Sequence, residues 1–294
     1  MKSTLYNKLA IYLDDCYTSQ TAKTYLFQID KYLSLYPGAV HYDLRQIEEY
    51  MAYLKLKDLR VTYRTATLAA IKAFYNFLIE QEIIHRHPCR GLFISEKQPK
   101  GVNFDKLFSL EEMEQIFKVL PTRFDCTKYR NKALVGIMIY QGATSAEVMN
   151  MKLRQVDLEK GTVKIVGEGK NRNRTIALLP SQVMTLMRYI ENERPNLAHI
   201  RNQYLFISMR GSKINISGIG SIFKKIQGAF DKRINPMIIR QSVISHWLNE
   251  KKFKLEDVQI MAGHRVPSTT DKYIKAERRQ QREAVNKLCS SIFG

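Results

Sequence analysis

The most informative part of the sequence is Met261-Ala-Gly-His264-Arg-Val-Pro-Ser-Thr-Thr-Asp-Lys-Tyr273. Glycine often ends a helix, because it adopts the left-handed backbone conformation without strain. A Pro-Ser-Thr-Thr turn then leads to Tyr273, nine residues after His264. The chain has 16 tyrosines, and most tyrosines simply pack at the edge of a core. The fixed spacing from the Gly-His pair marks this one as a candidate site residue.

Two earlier segments supply further polar candidates. Asn235-Pro-Met-Ile-Ile-Arg240 opens a predicted helix, and residues 140–153 form a helix end, a glycine turn and a new helix. Within the second segment, Thr144-Ser-Ala-Glu147 has the form of a capping box, in which each side chain satisfies a backbone amide at a helix start. Taken alone, Arg240 would be an ordinary surface charge, so its meaning depends on the three segments together.

The first ninety residues predict a small helical bundle. Apolar positions recur at helical spacing after Ser19, over residues 44–56 and over residues 61–81. The stretch from residue 85 to residue 104, with Pro88, Gly91, Pro99 and Gly101 among basic side chains, breaks this periodicity. It therefore predicts an interdomain linker.

The period changes inside the region 107–294. Residues 162–166 and 175–178 are β-branched runs that flank a turn rich in glycine and arginine, which predicts a hairpin. Helical patterns resume on both sides of this hairpin. The expected fold class is therefore mainly α with a small antiparallel β-sheet (α+β).

The charge of the chain limits its partners. There are 47 Lys and Arg residues against 28 Asp and Glu, which gives a net charge of +19 and a pI near 9.7. Residues 1–100 hold 14 basic and 10 acidic side chains (+4), and residues 101–294 hold 33 and 18 (+15). A field of this sign favours a polyanion, and nucleic acid or an anionic membrane surface are the usual ones.

Two classes of protein are excluded by composition. A membrane-spanning helix needs about 20 consecutive apolar residues, and the longest apolar run, near residues 133–140, is much shorter. The four cysteines are scattered, with no pair at metal-ligand spacing. Neither a zinc site nor a disulfide framework is expected, and a reduced cytoplasmic compartment fits this pattern.

Taken together and in this order, the three segments resemble the tyrosine recombinase (phage integrase) family. The Gly-His, Ser-Thr-Thr and Tyr element carries most of the resemblance, and the helical bundle and the hairpin match in place. The resemblance covers nearly the whole chain. It implies a helical, SAM-like core-binding domain at residues 1–90, a linker at 91–106 and a catalytic domain at 107–294.

The resemblance also implies roles for single residues. Tyr273 stands at the position of the nucleophile, Arg240 at that of the second arginine and His264 at that of the second histidine. The chain departs from the family at two positions. Thr144 stands where the first arginine belongs, and Met237 stands where the first histidine belongs. We expect Thr144 to cap a helix and Met237 to pack beside its apolar neighbours.

The family also places a lysine on the hairpin, and two alignments are open. Counting from Gly167 puts Glu168 at that position. A turn shortened by one residue puts Lys170 there and leaves the residues that follow in agreement with the family. We favour Lys170, because that alignment keeps the flanking strands in register.

Basic and polar side chains predict where DNA binds. Several lie close to one face of the third predicted helix, and two more lie in the hairpin turn. Phosphate contacts from such side chains supply most of the affinity for a DNA backbone. The predicted DNA-binding residues are Arg60, Arg64, Thr67, Lys72, Arg172 and Arg174.

The sequence thus predicts a site-specific recombinase or integrase that cuts and rejoins double-stranded DNA through a 3′-phosphotyrosine, for a mobile element. It would assemble on DNA as a tetrameric synapse, with accessory proteins as further partners, in the bacterial cytoplasm at the nucleoid. No metal and no cofactor are expected. The alternative is a catalytically degenerate homologue that binds DNA as an accessory or regulatory protein. A third reading is an unrelated helical DNA-binding regulator.

Overall fold

The chain divides into two compact units, residues 1–100 and residues 101–294. The computed structural model describes residues 2–96, 101–120, 127–169, 171–197 and 202–275. Helices dominate both units, and the second unit also holds a small antiparallel sheet. The expected fold class is confirmed.

The first unit is a bundle of four helices in its described part. Its core is aromatic: the hydroxyls of Tyr32 and Tyr75 are 3.1 Å apart, and Tyr75 donates to the Ala39 carbonyl at 2.7 Å. A capping box of Asp43 and Gln46 begins the third helix, so the start predicted from spacing has a physical cause. The helices are α1 (Lys2–Cys16), α2 (Ser19–Leu35), α3 (Leu44–Leu56) and α4 (Val61–Glu80).

The second unit is built around α6 and α11, which are buried on most of their surface. Capping boxes at Ser109 and Thr144 begin α5 and α7. The helix start predicted at Thr144 is confirmed. The helices are α5 (Leu110–Val119), α6 (Lys128–Tyr140), α7 (Ser145–Asn150), α8 (Pro180–Arg188), α9 (Arg194–Leu197), α10 (Ile216–Ile226), α11 (Pro236–Asn249), α12 (Leu255–Ala262) and α13 (Ser268–Asp271).

The sheet has three antiparallel strands in the order β1 (Val156–Asp157), β2 (Thr162–Ile165) and β3 (Arg174–Ala177). Its hairpin is the predicted one, with Ile165 opposite Arg174. The sequence gives no sign of β1, because two residues are too few to show alternation.

Among the described helices, none combines the length and the apolar character that a bilayer crossing requires.

Candidate active site

The glycine turn between α6 and α7 places a backbone carbonyl in the site. Gly142 has φ +59°, and a Cβ there would lie 3.1 Å from the Trp247 ring. Glycine is therefore required for both the backbone conformation and the close packing. The Gly142 carbonyl accepts a hydrogen bond from Arg240, which connects this turn to α11.

Arg240 lies in the second turn of α11, whose start is fixed by the Asn235 side chain and by Pro236. Its guanidinium also donates to the Ala262 carbonyl at 2.7 Å, at the end of α12. The side chain is 11% exposed. Burial lowers the pKa of Arg240, and the nearby Glu147 carboxylate opposes that shift. The site thus holds a buried cation joined to two other segments.

Glu147 forms the centre of the charge network. Its carboxylate accepts two hydrogen bonds from Arg174, at 2.7 and 3.0 Å, and lies 3.9 Å from Arg240. Burial is the largest single influence and would raise the pKa of Glu147. The hydrogen bonds and charge of Arg174, the Thr144 amide and the charge of Arg240 together outweigh it, so that pKa is lowered. Two guanidinium groups share one carboxylate, so the cluster carries a net charge of +1.

Sequence reasoning missed this second role of Glu147. The capping box with Thr144 is present, with the Thr144 amide donating to the carboxylate at 2.8 Å. A glutamate at the third position of a helix is already explained by that box. The partner Arg174 is 27 residues away in sequence, and only the sheet brings the two together.

His264 follows a glycine that the site requires. Gly263 has φ +73°, and a Cβ there would lie 2.8 Å from Arg174 Nη1. His264 is 6% exposed, and its Nδ1 lies 2.8 Å from Thr270 Oγ1. Burial, together with the charges of Arg240 and Lys272, lowers its pKa to about 4. The imidazole is therefore neutral at pH 7 and can act as a hydrogen-bond donor or acceptor without charge.

The hairpin turn is fixed against this helix end through main-chain contacts. The Arg172 amide donates to the Gly263 carbonyl at 2.6 Å, and Asn171 pairs with His264 as an isolated bridge. The Asn171 side chain also donates to Glu147 at 3.1 Å. The turn, the histidine and the charge cluster therefore form one packed unit.

Tyr273 packs directly on this unit. Its ring is nearly parallel to that of His264, at 12°, with ring centroids 6.4 Å apart, and the residue is 5% exposed. Burial raises the pKa of the Tyr273 phenol, while the Arg240 charge and a hydrogen bond with Gln241 act in the opposite direction. The structure thus brings together three of the four predicted catalytic residues.

Thr144 and Met237, the two departures from the family pattern, have different structural roles. Thr144 accepts a hydrogen bond from the Glu147 amide at 3.2 Å and caps α7. Met237 lies in the first turn of α11 and is 70% exposed. The expected packing role of Met237 is wrong, because its side chain faces solvent rather than the core.

The hairpin position leaves one prediction open. Lys170 lies outside the described residues. Glu168 accepts a hydrogen bond from Asn150 Nδ2 at 2.7 Å, and Lys213 donates to the Oδ1 of the same amide. Asn150, Glu168 and Glu147 line a cavity of about 560 Å³ beside the charge cluster.

The predicted DNA-binding residues of the first unit differ in accessibility. Arg60 is exposed at the start of α4, and Lys72 donates to the Arg90 carbonyl at 2.9 Å. Arg64 is buried and paired with Glu96, which also contacts Lys55 at 3.2 Å.

The remaining predicted contacts divide in the same way. Thr67 is fully buried and donates to Gln28 at 3.1 Å. In the second unit Arg172 is exposed, whereas Arg174 is buried in its pair with Glu147. The exposed members, Arg60 and Arg172, are directly available to a ligand.

Comparison with known proteins identifies the family. A profile described as "Phage integrase family" matches residues 106–280. The chain belongs to the phage integrase family. The resemblance inferred from the three segments is confirmed.

Relatives within the family cover most of the chain. Tyrosine recombinase XerC of Staphylococcus epidermidis is 27% identical over 249 residues, which is 82% of this chain and 80% of the relative. Two solved structures share the fold. XerH recombinase bound to its palindromic DNA substrate has a TM-score of 0.68 at 19% identity, covering 90% of this chain and 78% of XerH. The Tn1549 transposon integrase with transposon right end DNA has a TM-score of 0.66 at 14% identity, covering 97% and 99%.

Proposed function

We propose that this protein is a site-specific DNA recombinase that cuts and rejoins double-stranded DNA through a 3′-phosphotyrosine. The observation that carries the proposal is the convergence of Tyr273, His264 and Arg240 in one buried cluster. A phenol, a neutral imidazole and a guanidinium are the groups required for nucleophilic attack on a phosphodiester. Membership of the phage integrase family supports the same reaction class.

The reaction balances without an external energy source. The Tyr273 phenol oxygen attacks phosphorus and releases its proton to solvent. The bond from phosphorus to the 5′ oxygen breaks, and that oxygen leaves as a hydroxyl after gaining a proton from a general acid. The phosphotyrosine retains the bond energy, so the 5′-hydroxyl of another strand can reverse the step. Arg240 would bind the non-bridging oxygens, and His264 would donate a hydrogen bond as charge develops.

The proton for the leaving oxygen needs a donor. We propose Lys170 on the hairpin for this role, because an ammonium can protonate an alkoxide as it departs. Glu168 occupies the alternative position, and its hydrogen bond with Asn150 links it to Lys213.

Thr144 and Met237 stand in place of the family's arginine and histidine, and this lowers the expected rate of DNA cleavage. Losing one charge-stabilising donor typically costs about 10²–10³ in rate. The Arg174 charge partly compensates, since it lies in the same cluster as Arg240, but Glu147 neutralises one of the two. We therefore expect slow cleavage.

DNA would be held by both units. We propose that residues 1–90 form the core-binding domain and that residues 107–294 form the catalytic domain. Arg60 and Lys72 would contact DNA, and Arg64 would do so only when its pair with Glu96 opens. The expected contact from Thr67 is wrong, because its side chain is fully buried and donates to Gln28. Arg172 and Arg174 would act near the cleaved phosphate. The net charge of +19 supports a backbone-binding role.

We further propose that four protomers assemble on DNA, with accessory proteins as further partners, and that the protein serves a mobile element in the bacterial cytoplasm at the nucleoid. The Tn1549 transposon integrase, which shares the fold, supports the mobile-element setting. The XerC relative supports a bacterial setting.

A second function is favoured by a specific observation. Thr144 serves fully as a helix cap, so nothing in its surroundings demands a catalytic group. A protein that binds DNA without cutting it, as an accessory or regulator, would tolerate Thr144 and Met237 at no cost. The retained cluster of Tyr273, His264 and Arg240 favours cleavage.

The experiment that separates the two functions uses a trapped substrate. Duplexes that this protein selects from a random-sequence library are given a nick at successive central positions, so that cleavage releases a short fragment and cannot reverse. Wild type should form an adduct that survives denaturant, and Tyr273→Phe should bind the same duplex without forming it. Tight binding with no adduct in wild type would support the non-cutting function instead.

A further inference from the structure

Asn249 joins residues 273–275, the tyrosine segment, to α11, the helix that carries Arg240. It is the last residue of α11, nine residues after Arg240. Its Nδ2 donates to the Tyr273 carbonyl at 2.8 Å, and its Oδ1 accepts from the Lys275 amide at 2.8 Å. One side chain therefore fixes two main-chain groups that lie on either side of Ile274.

The Asn249 side chain is itself held in place. One Nδ2 hydrogen serves the Tyr273 carbonyl. The other is shared between the Ser245 carbonyl at 2.8 Å and Ser245 Oγ at 3.0 Å, one turn earlier in α11. These bonds fix the orientation of the amide plane. A carboxamide donates through its nitrogen and accepts through its oxygen, so it can bind both a main-chain carbonyl and a main-chain amide of residues 273–275.

The other hydrogen bonds of the tyrosine segment show why the two bonds from Asn249 matter. Tyr273 follows the short helix α13, with its amide bonded to the Thr270 carbonyl at 3.0 Å. That helix has only four residues, and it gives the segment few hydrogen bonds of its own. The bonds from Asn249 attach the segment to α11, the 14-residue helix that carries Arg240 and Gln241.

We propose that Asn249 is a positioning residue for the nucleophile. It holds the Tyr273 main chain on the helix that carries Arg240, so that the phenol oxygen and the phosphate-binding guanidinium keep a fixed separation. The inference rests on the proposed recombinase function. Near-attack geometry is sensitive to small shifts, and a misplacement of about 1 Å can cost about 10² in rate.

The test compares three variants in single-turnover adduct formation at saturating DNA. Asn249→Ala removes both bonds to the tyrosine segment. Asn249→Asp keeps an acceptor for the Lys275 amide but places a carboxylate oxygen against the Tyr273 carbonyl. Ser245→Ala is the matched control. It removes only the longer contact to Oγ, and it keeps the bond to the Ser245 carbonyl that orients the amide and both bonds to the tyrosine segment.

We expect Asn249→Ala and Asn249→Asp to lower the rate constant by about 10- to 100-fold, with unchanged reaction amplitude and unchanged DNA affinity. Ser245→Ala should react at the wild-type rate. A merely structural role would reduce the amplitude, which reports the folded fraction, and leave the rate constant of the folded molecules unchanged. That result, or a wild-type rate constant in Asn249→Ala, would overturn the proposal.

A second measurement does not depend on activity. Hydrogen exchange of the Lys275 amide should be slow in wild type and in Ser245→Ala, and fast in Asn249→Ala, because the protecting acceptor is gone. Fast exchange in wild type would contradict the inference. Absence of an adduct in wild type would overturn the proposed function itself, whereas a wild-type adduct with no effect of Asn249→Ala would overturn the positioning role alone.

Discussion

Glu147→Gln tests the charge cluster that supports the site. Gln keeps the size of the side chain and can still accept from Thr144, because glutamine also serves in a capping box. The change removes the negative charge that two buried guanidinium groups share. The side chains of Arg174 and Glu147 are 1% and 0% exposed, so Arg174 would be left as an uncompensated buried cation.

Breaking a buried ion pair by removing one partner costs about 3–5 kcal/mol. We therefore expect the free energy of unfolding in urea at pH 7 to fall by about that amount, with an unchanged m-value. A double-mutant cycle with Arg174→Met isolates the pair from the other effects of each substitution. A loss below about 1 kcal/mol, the level of an exposed pair, would refute the buried network.

The same variant makes a pH prediction. The pKa of Glu147 is lower in the folded protein than in the unfolded chain. Its contribution to stability is therefore complete above the unfolded value, about 4.3, and is lost as the pH falls through the folded value. The difference in unfolding free energy between wild type and Glu147→Gln should shrink in acid. A difference that does not depend on pH would contradict the assignment.

Three further predictions concern catalysis, DNA binding and pH. Thr144→Arg should raise the rate of adduct formation by up to about 10²–10³, because it restores the missing cation, and should cost about 1 kcal/mol of stability through the lost helix cap. Thr144→Val measures the loss of the cap alone. An unchanged rate in Thr144→Arg would contradict the role of the missing cation. Glu96→Gln should release Arg64 and steepen the salt dependence of DNA binding by about one phosphate contact. Glu48→Gln makes the same charge change on the exposed face of α3 and serves as the control. Equal effects of the two variants on the salt dependence would argue against the pairing of Arg64 with Glu96. His264 has a pKa of about 4 in the folded protein, below the value of about 6.5 in the unfolded chain. The free energy of unfolding should therefore fall as the pH falls from about 6.5 to about 4. His264→Asn should flatten this pH dependence in urea titrations, and an unaltered pH dependence would contradict the buried, neutral state of His264.

The sequence allowed much of the fold and part of the site to be predicted. The capping box at Thr144 and the hairpin runs depend on local patterns, and these predictions are confirmed. The grouping of Tyr273, His264 and Arg240 was predicted from resemblance, because no local pattern reports which segments meet in space.

The rest depends on contacts between distant residues. The pairing of Glu147 with Arg174 joins a helix start to a strand, and each residue already has a local explanation. Asn249 appears in the sequence only as a polar residue at a helix end, yet its partners lie at residues 273–275. Met237 was expected to pack because of its apolar neighbours, and its exposure follows from the position of the first turn of α11 at the surface.

The most direct test identifies the residue that becomes covalently attached to DNA. The adduct formed on a nicked duplex is digested with nuclease and protease, and the remaining peptides are sequenced by mass spectrometry. We expect a nucleotide 3′-phosphate on the peptide that contains Tyr273 and none on the corresponding peptide of Tyr273→Phe. A nucleotide attached to any other residue, or an adduct that persists in Tyr273→Phe, would contradict the role of Tyr273 as nucleophile.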